Sequence, residues 1–430
     1  MNDLWFNRAR TLQGLQTVCT EVYEACAEAQ PVVNYVFPTG PVVLAQLAGK
    51  LVQTHVVPYV TTLLVGASKG VVLDNDDERT PRYLPTLHAA YRMASRLFDQ
   101  LQAFNADGLL DHKLLRDACF GEYLHRGAYG DEECGNLQAS YMARLTPFLQ
   151  FKASRKSQAK TRSAFGWVPA VAAAAEVAKA QSVFGVDESL SVELALEMLH
   201  DHGQALVRAR QLCTPDELPE LAARLFKLQL DMLGGMYIEA ALDITLEQLA
   251  KARDSKTSPP LATVLETVQA ASSIVHLMQK HFQDDVLPLL QPSAAAHRDV
   301  MLAKNRVLAT LEVLINSCLD FLLYGILQAF SRILAKQKKS DYRPKEGTAS
   351  AGSSPVVHEC IAYLQKITGV AKKSLDGKNL EAFTLELARG LHTVWMEHLK
   401  KFTYSHAGGL QLAGSVWARG SRDSKGISRS

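Results

Sequence analysis

Residues 308–333 read LATLEVLINSCLDFLLYGILQAFSRI and form the longest apolar stripe in the chain. The apolar side chains in this stretch recur at steps of three and four residues, close to the 3.6-residue period of an α-helix. The stripe consists of Leu308, Leu311, Ile315, Cys318, Leu322, Ile326, Phe330 and Ile333. It predicts one helix from about His297 to Lys336, roughly 60 Å long at about 1.5 Å per residue.

The same spacing recurs on both sides of this stretch, which indicates that most of the chain is helical. Such stripes lie at Leu12, Leu15, Cys19, Val22 and Cys26, and at Val264, Val268, Ala271, Val275, Met278 and Phe282. Strand-like sequence is scarce, because Val56–Val65 is the only β-rich stretch and Val32–Val43 is interrupted by prolines. We therefore predict an all-α fold, arranged as an elongated rod of consecutive antiparallel helical bundles.

Helix starts are marked by capping residues. Thr214 is followed by Pro215 and then by Glu217, which is the order of an N-cap, a first-turn proline and a capping-box acid. The pair Ser354-Pro355 repeats the first two of these features. Asn379 is predicted to cap the helix that follows it.

Changes in composition divide the chain into segments. Asp74–Thr80 is an acidic polar loop, Lys152–Arg162 is basic without any acid, and Glu346–Ser354 has the composition of a flexible linker. We predict a helical bundle over residues 1–150, a basic linker over 151–165, helical bundles over 166–345, a flexible linker over 346–354, a C-terminal helical segment over 355–412 and a disordered tail over 413–430.

The overall composition is that of a folded protein. The 430 residues are 47% hydrophobic and 21% charged, and the net charge of +2 creates no global field toward nucleic acid or membrane. The seven cysteines form no C-x-x-C pair, so we predict free thiols in a reducing compartment. We find no secretory signal, and the uncharged runs Gln30–Gly49 and Leu51–Ser68 are broken by proline or polar residues. The protein is expected to be cytoplasmic or peripherally bound.

One motif suggests catalysis. Gly66-Ala67-Ser68-Lys69-Gly70 matches the G-x-S-x-G elbow of serine hydrolases, and Tyr59–Val65 before it has the composition of a strand. A helix must follow such an elbow, yet here the acidic loop follows almost at once. A glycine-flanked loop is therefore the favoured interpretation, and a hydrolase that uses Ser68 is the alternative.

Metal and cofactor motifs are weak. The residues Asp74, Asp76 and Glu78 resemble a calcium loop, but Arg79 stands where that loop needs glycine. The histidine pairs His200/His202 and His276/His281 do not have the four-residue spacing that places two rings on one helix face. We predict no catalytic residue, no metal ligand and no cofactor.

The basic segment is the one candidate contact site. Its cations are Lys152, Arg155, Lys156, Lys160 and Arg162. Such cations can contact anionic lipid headgroups or an acidic partner. The favoured interpretation is an exposed loop that its charge keeps soluble. Aromatic residues do not alternate with these cations, so nucleic acid is not a predicted partner.

Several short sequence segments, which we call words, resemble those of one protein family. They are V-L-E-T-V-Q-A-A-S-S-I-V-H-L-M-Q-K-H-F at Val264–Phe282, V-L-P-L at Val286–Leu289, A-K-Q-K-K-S-D-Y-R-P-K at Ala335–Lys345, D-E-L-P at Asp216–Pro219, S-L-D-G-K-N at Ser374–Asn379, and E-H-L with F-T-Y-S and G-G between Glu397 and Gly409. In their order along the chain they resemble the exocyst complex component five family, also called Sec-ten, of vesicle-tethering subunits.

The resemblance implies a rod of helical bundles without enzymatic activity. Such subunits join other exocyst subunits and hold secretory vesicles at the plasma membrane before fusion. The family usually begins with a long coiled coil and continues past the G-G word. We expect this chain to be truncated at both ends, since no heptad segment precedes Leu4 and the last residues resemble neither the family nor a packed helix.

Two further alternatives remain. One is an F-box recycling protein that shares this helical region, although its N-terminal F-box is absent here. The other is a lipid-binding helical scaffold that uses the basic segment.

Overall fold

The computed structural model describes residues 11–68, 83–105, 110–125, 127–164, 190–255, 257, 259–338, 342–343, 355–406 and 408–409, and only the backbone of 156–164. Within these ranges the chain is helical and contains no β-strand, so the prediction of an all-α fold is confirmed for them. The order of the bundles along a rod stays a prediction. The predicted acidic loop, the flexible linker 346–354 and the tail 413–430 lie outside the described residues.

The α-helices have the following bounds. They are α1 Leu12–Val36, α2 Gly40–Leu51, α3 Val57–Ser68, α4 Tyr83–Leu101, α5 His112–Phe120, α6 Ala128–Ala164, α7 Val192–Leu212, α8 Leu218–Gln229, α9 Ala240–Asp254, α10 Leu261–His281, α11 Leu287–Leu290, α12 Ala294–Leu334, α13 Pro355–Ser374 and α14 Gly377–Leu399. Segments with π-helical hydrogen bonding, Val52–Val56, Leu230–Glu239 and Phe282–Val286, join three pairs of these helices without a break.

The chain forms two units, each built from three stretches of sequence. The first comprises residues 1–144, 197–229 and 281–301, and the second comprises 145–196, 230–280 and 302–430. These units do not coincide with the predicted consecutive segments. The predicted basic linker differs as well, because residues 151–164 continue α6 as helix. A helix without an apolar face has the composition of a loop, and for that reason the sequence pattern was misleading there.

The first unit begins with α1, whose apolar stripe is buried as its spacing predicts. Leu15, Val18, Cys19, Val22 and Cys26 lie in the core. The side chain of Thr11 caps α1 by accepting a hydrogen bond from the backbone N–H of Gly14 over 3.2 Å. The hydroxyl of Tyr59 donates to the carbonyl of Thr11 over 3.1 Å, which ties the start of α1 to α3.

The strand-like prediction for Val56–Val65 is wrong. The residues from Gly40 to Ser68 form one helical run, α2 and α3 joined by the turn Val52–Val56. Val52, Val56, Val60 and Leu64 recur at four-residue steps and are all buried. Packing of this stripe overrides the β-propensity of its valines, since propensity contributes only a few tenths of a kcal/mol per residue, of the order of ~0.5.

In the second unit, α12 carries the stripe that predicted it. The predicted helix from about His297 to Lys336 is observed as Ala294–Leu334. Five of the eight positions of this stripe are buried: Leu311, Cys318, Leu322, Ile326 and Phe330. Leu308, Ile315 and Ile333 are half-buried, and Leu334 is buried beside Ile333. Leu322 and Ile326 belong to a core cluster that also contains side chains from α9, α10, α13 and α14 and the linking residue Leu375. The stripe therefore supplies the surface on which the later helices pack.

Two predicted helix starts are displaced. Asn379 does not cap α14, because the N-cap is Asp376 and the helix begins at Gly377, whose φ is +45°. After Thr214 the chain makes a turn, and α8 begins only at Leu218. The hydroxyl of Thr214 donates to the carboxylate of Glu217 over 2.9 Å, so the two predicted capping residues do pair. The start of α13 at Pro355 agrees with the prediction.

The segment Leu230–Glu239 passes very close to α12. A Cβ atom added to Gly234 would lie 2.7 Å from Cγ1 of Val307, which is closer than carbon atoms approach in proteins. The adjacent Gly235 has room, since the nearest atom to its added Cβ is an oxygen of Glu239 at 4.0 Å. Gly234 is therefore required by the packing of this segment, whereas Gly235 is not.

We predict that Gly234→Ala lowers the free energy of unfolding by about 1–3 kcal/mol, the usual effect of overpacking a filled interior. Gly235→Ala is the matched control and is expected to be neutral or slightly stabilising, because alanine favours helical backbone over glycine by about 0.5–1 kcal/mol. Urea unfolding followed by circular dichroism measures both. Equal effects of the two substitutions would contradict the close approach to Val307.

Candidate functional site

The basic segment lies in the second half of α6. Arg155 places its guanidinium over the ring of Phe151, with 5.5 Å between the guanidinium carbon and the ring centroid. Lys152 and Arg155 are half-buried, and no carboxylate of the described residues pairs with either. The side chains of Lys156, Lys160 and Arg162 lie outside the described part. On the helical backbone, Lys152, Lys156 and Lys160 follow one another at four-residue steps along one side.

The residues around Ser68 do not form a nucleophile elbow. Ser68 is the last residue of α3, and its hydroxyl donates to the carbonyl of Val65 over 3.1 Å. An elbow needs a strand before the serine, but the preceding residues are helical. Lys69 and Gly70 lie outside the described residues. The predicted strand before Ser68 is therefore wrong, and the hydrolase interpretation loses the feature that suggested it.

The cysteines are free, as predicted. Burial raises the pKa of Cys19, Cys119, Cys213 and Cys318 to about 12, and that of Cys360 to about 11. Thiols with such pKa values stay protonated at neutral pH and are poor nucleophiles and poor metal ligands. Among the described residues no group of three or more His, Cys, Asp and Glu side chains is arranged to hold a metal ion.

The S-L-D-G-K-N word forms a junction with α10. Nε2 of Gln269 donates to Oδ1 of Asp376 over 2.5 Å, and Nδ2 of Asn379 donates to Oε1 of Gln269 over 3.1 Å. The side-chain amide of Gln269 in α10 thus donates one hydrogen bond to the start of α14 and accepts another from it. The polar residues of this word hold a helix corner in place, and the word makes contact with the V-L-E-T-V-Q word.

The last family words meet in a second junction, which we call the C-terminal clasp. It consists of Gln337, Tyr342, His398, Phe402, Tyr404, Ser405 and Gly408. The backbone N–H of Ser405 donates to the carbonyl of Tyr342 over 3.0 Å. The ring of Tyr342 packs edge-on against Phe402, with 5.1 Å between centroids. A Cβ atom on Gly408 would overlap the carbonyl oxygen of Tyr342, so this glycine is required.

An ion pair is buried in the first unit. Glu133 is fully buried, and both of its oxygens accept hydrogen bonds from Nε of Arg208 at 3.1 Å. The hydroxyl of Tyr129 donates to the same carboxylate over 2.9 Å, and burial together with Glu133 raises the Tyr129 pKa. Nη2 of Arg208 donates a fourth hydrogen bond to Oε1, and together they satisfy a charge that would otherwise be very unfavourable in the core. Neither residue was predicted, because the two lie 75 positions apart in the sequence.

Two histidines also meet in the first unit. Nδ1 of His202 lies 2.7 Å from Nε2 of His281, and Nδ1 of His281 lies 2.7 Å from Oδ2 of Asp285. His202 is fully buried, whereas Asp285 is about half exposed. The two histidines are 79 positions apart. The sequence pattern pairs each of them only with a histidine a few residues away, so it did not predict this contact.

The end of α1 is apolar and exposed. Cys26 is the last buried residue of this helix. Beyond it Tyr35 is 91% exposed, and Val32, Val36 and Phe37 are also exposed. No charged residue occurs between Gln30 and Gly49. This apolar end of α1, defined as Val32, Tyr35, Val36 and Phe37, is a feature typical of surfaces that contact other proteins.

Two helical runs, Leu261–Leu290 and Ala294–Leu334, are long and apolar enough to cross a membrane by length and composition alone. This is weak evidence, because core helices of soluble bundles have the same features. In the second run Glu312 and Asp320 interrupt the apolar sequence. We describe both runs as bundle helices because their buried residues contribute to the cores.

We predict that Gly408→Ala opens the C-terminal clasp, because the added methyl group and the Tyr342 carbonyl cannot occupy the same space. Hydrogen exchange of the Ser405 amide should rise at least about tenfold, the change that ~1.4 kcal/mol of local stability produces. Gly409→Ala is the matched control, since nothing lies within 4 Å of its added Cβ. Unchanged exchange in Gly408→Ala would contradict this contact.

Comparison with known proteins identifies the family. A family model described as "Exocyst complex component Sec10-like, alpha-helical bundle" matches residues 1–414. The chain is 26% identical to exocyst complex component 5 of Rattus norvegicus over 390 residues, which are 90% of this chain and 53% of that protein. It is 26% identical to the protein of that name from Drosophila melanogaster over 405 residues, 92% of this chain and 53% of that protein.

The relative of the same name from Caenorhabditis elegans is 24% identical over 398 residues, 92% of this chain and 58% of that protein. The chain thus spans about half the length of the curated relatives it matches. These matches confirm the resemblance found in the short sequence words. The chain belongs to the Sec10-like alpha-helical bundle family of exocyst complex components.

Proposed function

We propose that this chain is a non-enzymatic subunit of the exocyst that helps to tether secretory vesicles to the plasma membrane before fusion. The observation that carries the proposal is the family match over residues 1–414, together with relatives that are named exocyst complex component 5. In this proposal its partners are other exocyst subunits, and vesicle and plasma-membrane proteins are reached through them. Its location is cytoplasmic and peripheral to these membranes. The F-box and hydrolase alternatives have no comparable support.

The physical role we propose is bridging. Helices rise about 1.5 Å per residue, so the 41 residues of α12 extend roughly 60 Å. A scaffold of this kind holds binding surfaces at fixed separations. Several modest contacts then act together, because each bound contact raises the effective concentration of the next.

We further propose that the apolar end of α1 contacts an apolar helix surface of another exocyst subunit. The support is its exposure combined with its lack of charge. Anionic lipid and nucleic acid bind surfaces that carry positive charge, and this surface carries none. Exposed aromatic side chains such as Tyr35 are frequent anchors of protein interfaces, because they bury a large area with few rotatable bonds.

The basic segment has a separate proposed role as a contact for anionic lipid headgroups. Support comes from five cations without an intervening acid, and from the helical backbone that places Lys152, Lys156 and Lys160 along one side. Each cation near an anionic membrane contributes about 1 kcal/mol. An acidic protein is the alternative ligand, and vesicles that contain no protein separate the two.

Affinity purification of the tagged chain tests the tethering proposal. We expect other exocyst subunits to co-purify, and the double variant Tyr35→Asp/Phe37→Asp to reduce their recovery at least about tenfold, since charges disfavour an apolar interface. Leu385→Asp, on an exposed position of α14, is the control. Recovery of no exocyst subunit by the parent chain would refute the proposed function. Equal recovery by the double variant would refute only the role of α1.

Flotation with protein-free vesicles tests the basic segment. We expect binding to phosphatidylserine vesicles at low salt, and at least about 100-fold weaker binding when all five cations are replaced by glutamine, given ~1 kcal/mol for each. The variant Lys372→Gln/Lys373→Gln, on exposed positions of α13, is the control for loss of charge elsewhere. Binding that is equal in the parent and the fivefold variant would remove the lipid proposal.

A further inference from the structure

The contact between His202 and His281 has a defined polarity at neutral pH. A carboxylate only accepts hydrogen bonds, so His281 must donate from Nδ1 to Asp285. Nε2 of His281 is then an acceptor, and His202 must donate to it from Nδ1. This tautomer leaves Nε2 of His202 without its proton and buried without a hydrogen-bond partner. The chain of hydrogen bonds runs from the core to a half-exposed carboxylate.

These hydrogen bonds link two parts of the first unit. His202 belongs to α7, while Asp285 belongs to the π-helical turn Phe282–Val286 that directly follows α10 and His281. Aromatic contacts accompany the link. Phe226 of α8 lies 6.1 Å from the His202 ring and 5.0 Å from the Phe282 ring, measured between centroids. Phe226 thus contacts both the buried histidine and the turn.

One added proton can bind to His281 while every hydrogen bond of this arrangement is kept. With His281 charged, both of its nitrogens donate, one to Asp285 and one to Nδ1 of His202. The remaining proton of His202 then moves to Nε2. A second proton does not fit, because N–H groups on both rings would point at each other across 2.7 Å.

We propose that His202, His281 and Asp285 form a proton-sensitive joint between α7 and the turn Phe282–Val286. The joint stays closed with no added proton or with one, and it opens when a second proton binds. The joint does not depend on the proposed tethering function. It requires only that the two rings and the carboxylate keep the observed hydrogen bonds.

The charges around the joint agree with this behaviour. Burial lowers the pKa of His202 well below its ordinary value, and the nearby His281 lowers it further. Burial also lowers the pKa of His281, which Asp285 and then Asp284 partly offset. On α7 and α8, Asp201, Arg224 and Lys227 are engaged in ion pairs elsewhere. The segment Leu287–Leu290 of α11 carries no charge.

The sign of the pH effect follows from these directions. Both pKa values are lower in the closed joint than in an open one, where histidine titrates near pH 6.5. Opening therefore takes up protons. The stability of the joint is complete above about pH 6.5 and is lost as the pH falls below that value.

Hydrogen exchange of the full chain between pH 7.5 and 5, corrected for the intrinsic rate at each pH, tests the proposal. We expect the open fraction of the turn Phe282–Val286 to rise at least about tenfold per pH unit below pH 6.5, since each proton taken up contributes that factor. In His202→Gln/His281→Gln this rise should disappear. His392→Gln, at an exposed histidine of α14, is the control and should behave like the parent chain.

Asp285→Asn provides a second test at a half-exposed position, where the fold is expected to persist. Without the carboxylate the charged form of His281 loses its support, so the turn should open at a higher pH than in the parent chain. The proposal is overturned if Asp285→Asn opens at the same pH as the parent. It is overturned equally if the double histidine variant, once folded, opens with the parent's pH dependence, or if the parent shows no opening down to pH 5.

Discussion

Burial of the apolar stripe of α12 is the constraint on which the second unit depends. Leu322 and Ile326 lie in one cluster with side chains from α9, α10, α13 and α14. Removal of one such buried leucine or isoleucine side chain typically costs about 2–5 kcal/mol, a large part of the ~5–15 kcal/mol that stabilises a domain. The later helices α13 and α14 pack their own buried side chains, such as Ile367 and Phe383, against this stripe. Their positions follow from this stripe.

The stripe was also the most predictable feature, and the reason is physical. Its period is a local property, and 41 residues of helix repeat it many times. The errors arose where another effect was stronger than the local pattern. Packing at four-residue steps made Val56–Val65 helical despite its β-branched residues. The basic segment had no apolar face to reveal its helix. The pair His202 and His281 forms across 79 positions, a separation that no local pattern contains.

The residues in the words that identify the family make structural contacts with one another. The word containing Gln269 bonds to the word containing Asp376 and Asn379. The word containing Tyr342 meets the words that contain Ser405 and Gly408. Each pair joins segments far apart in sequence. In a helical scaffold such junctions distinguish one family from another, because the surfaces of its helices are otherwise similar in composition.

Polar contacts in the interior have a role that apolar stripes cannot perform. When one helix slides along its neighbour by one turn, about 5.4 Å, an apolar stripe with a period of about 3.6 residues meets that neighbour again. The apolar area that is buried after the slide is similar. Hydrogen bonds between Glu133 and Arg208, or between His202 and His281, are lost on such a shift and leave buried polar groups unpaired. The cost of an unpaired buried charge exceeds the net stability that the pair contributes. These contacts therefore select one register among several of similar burial, and a fixed register keeps exposed surfaces such as the end of α1 at fixed positions along their helices.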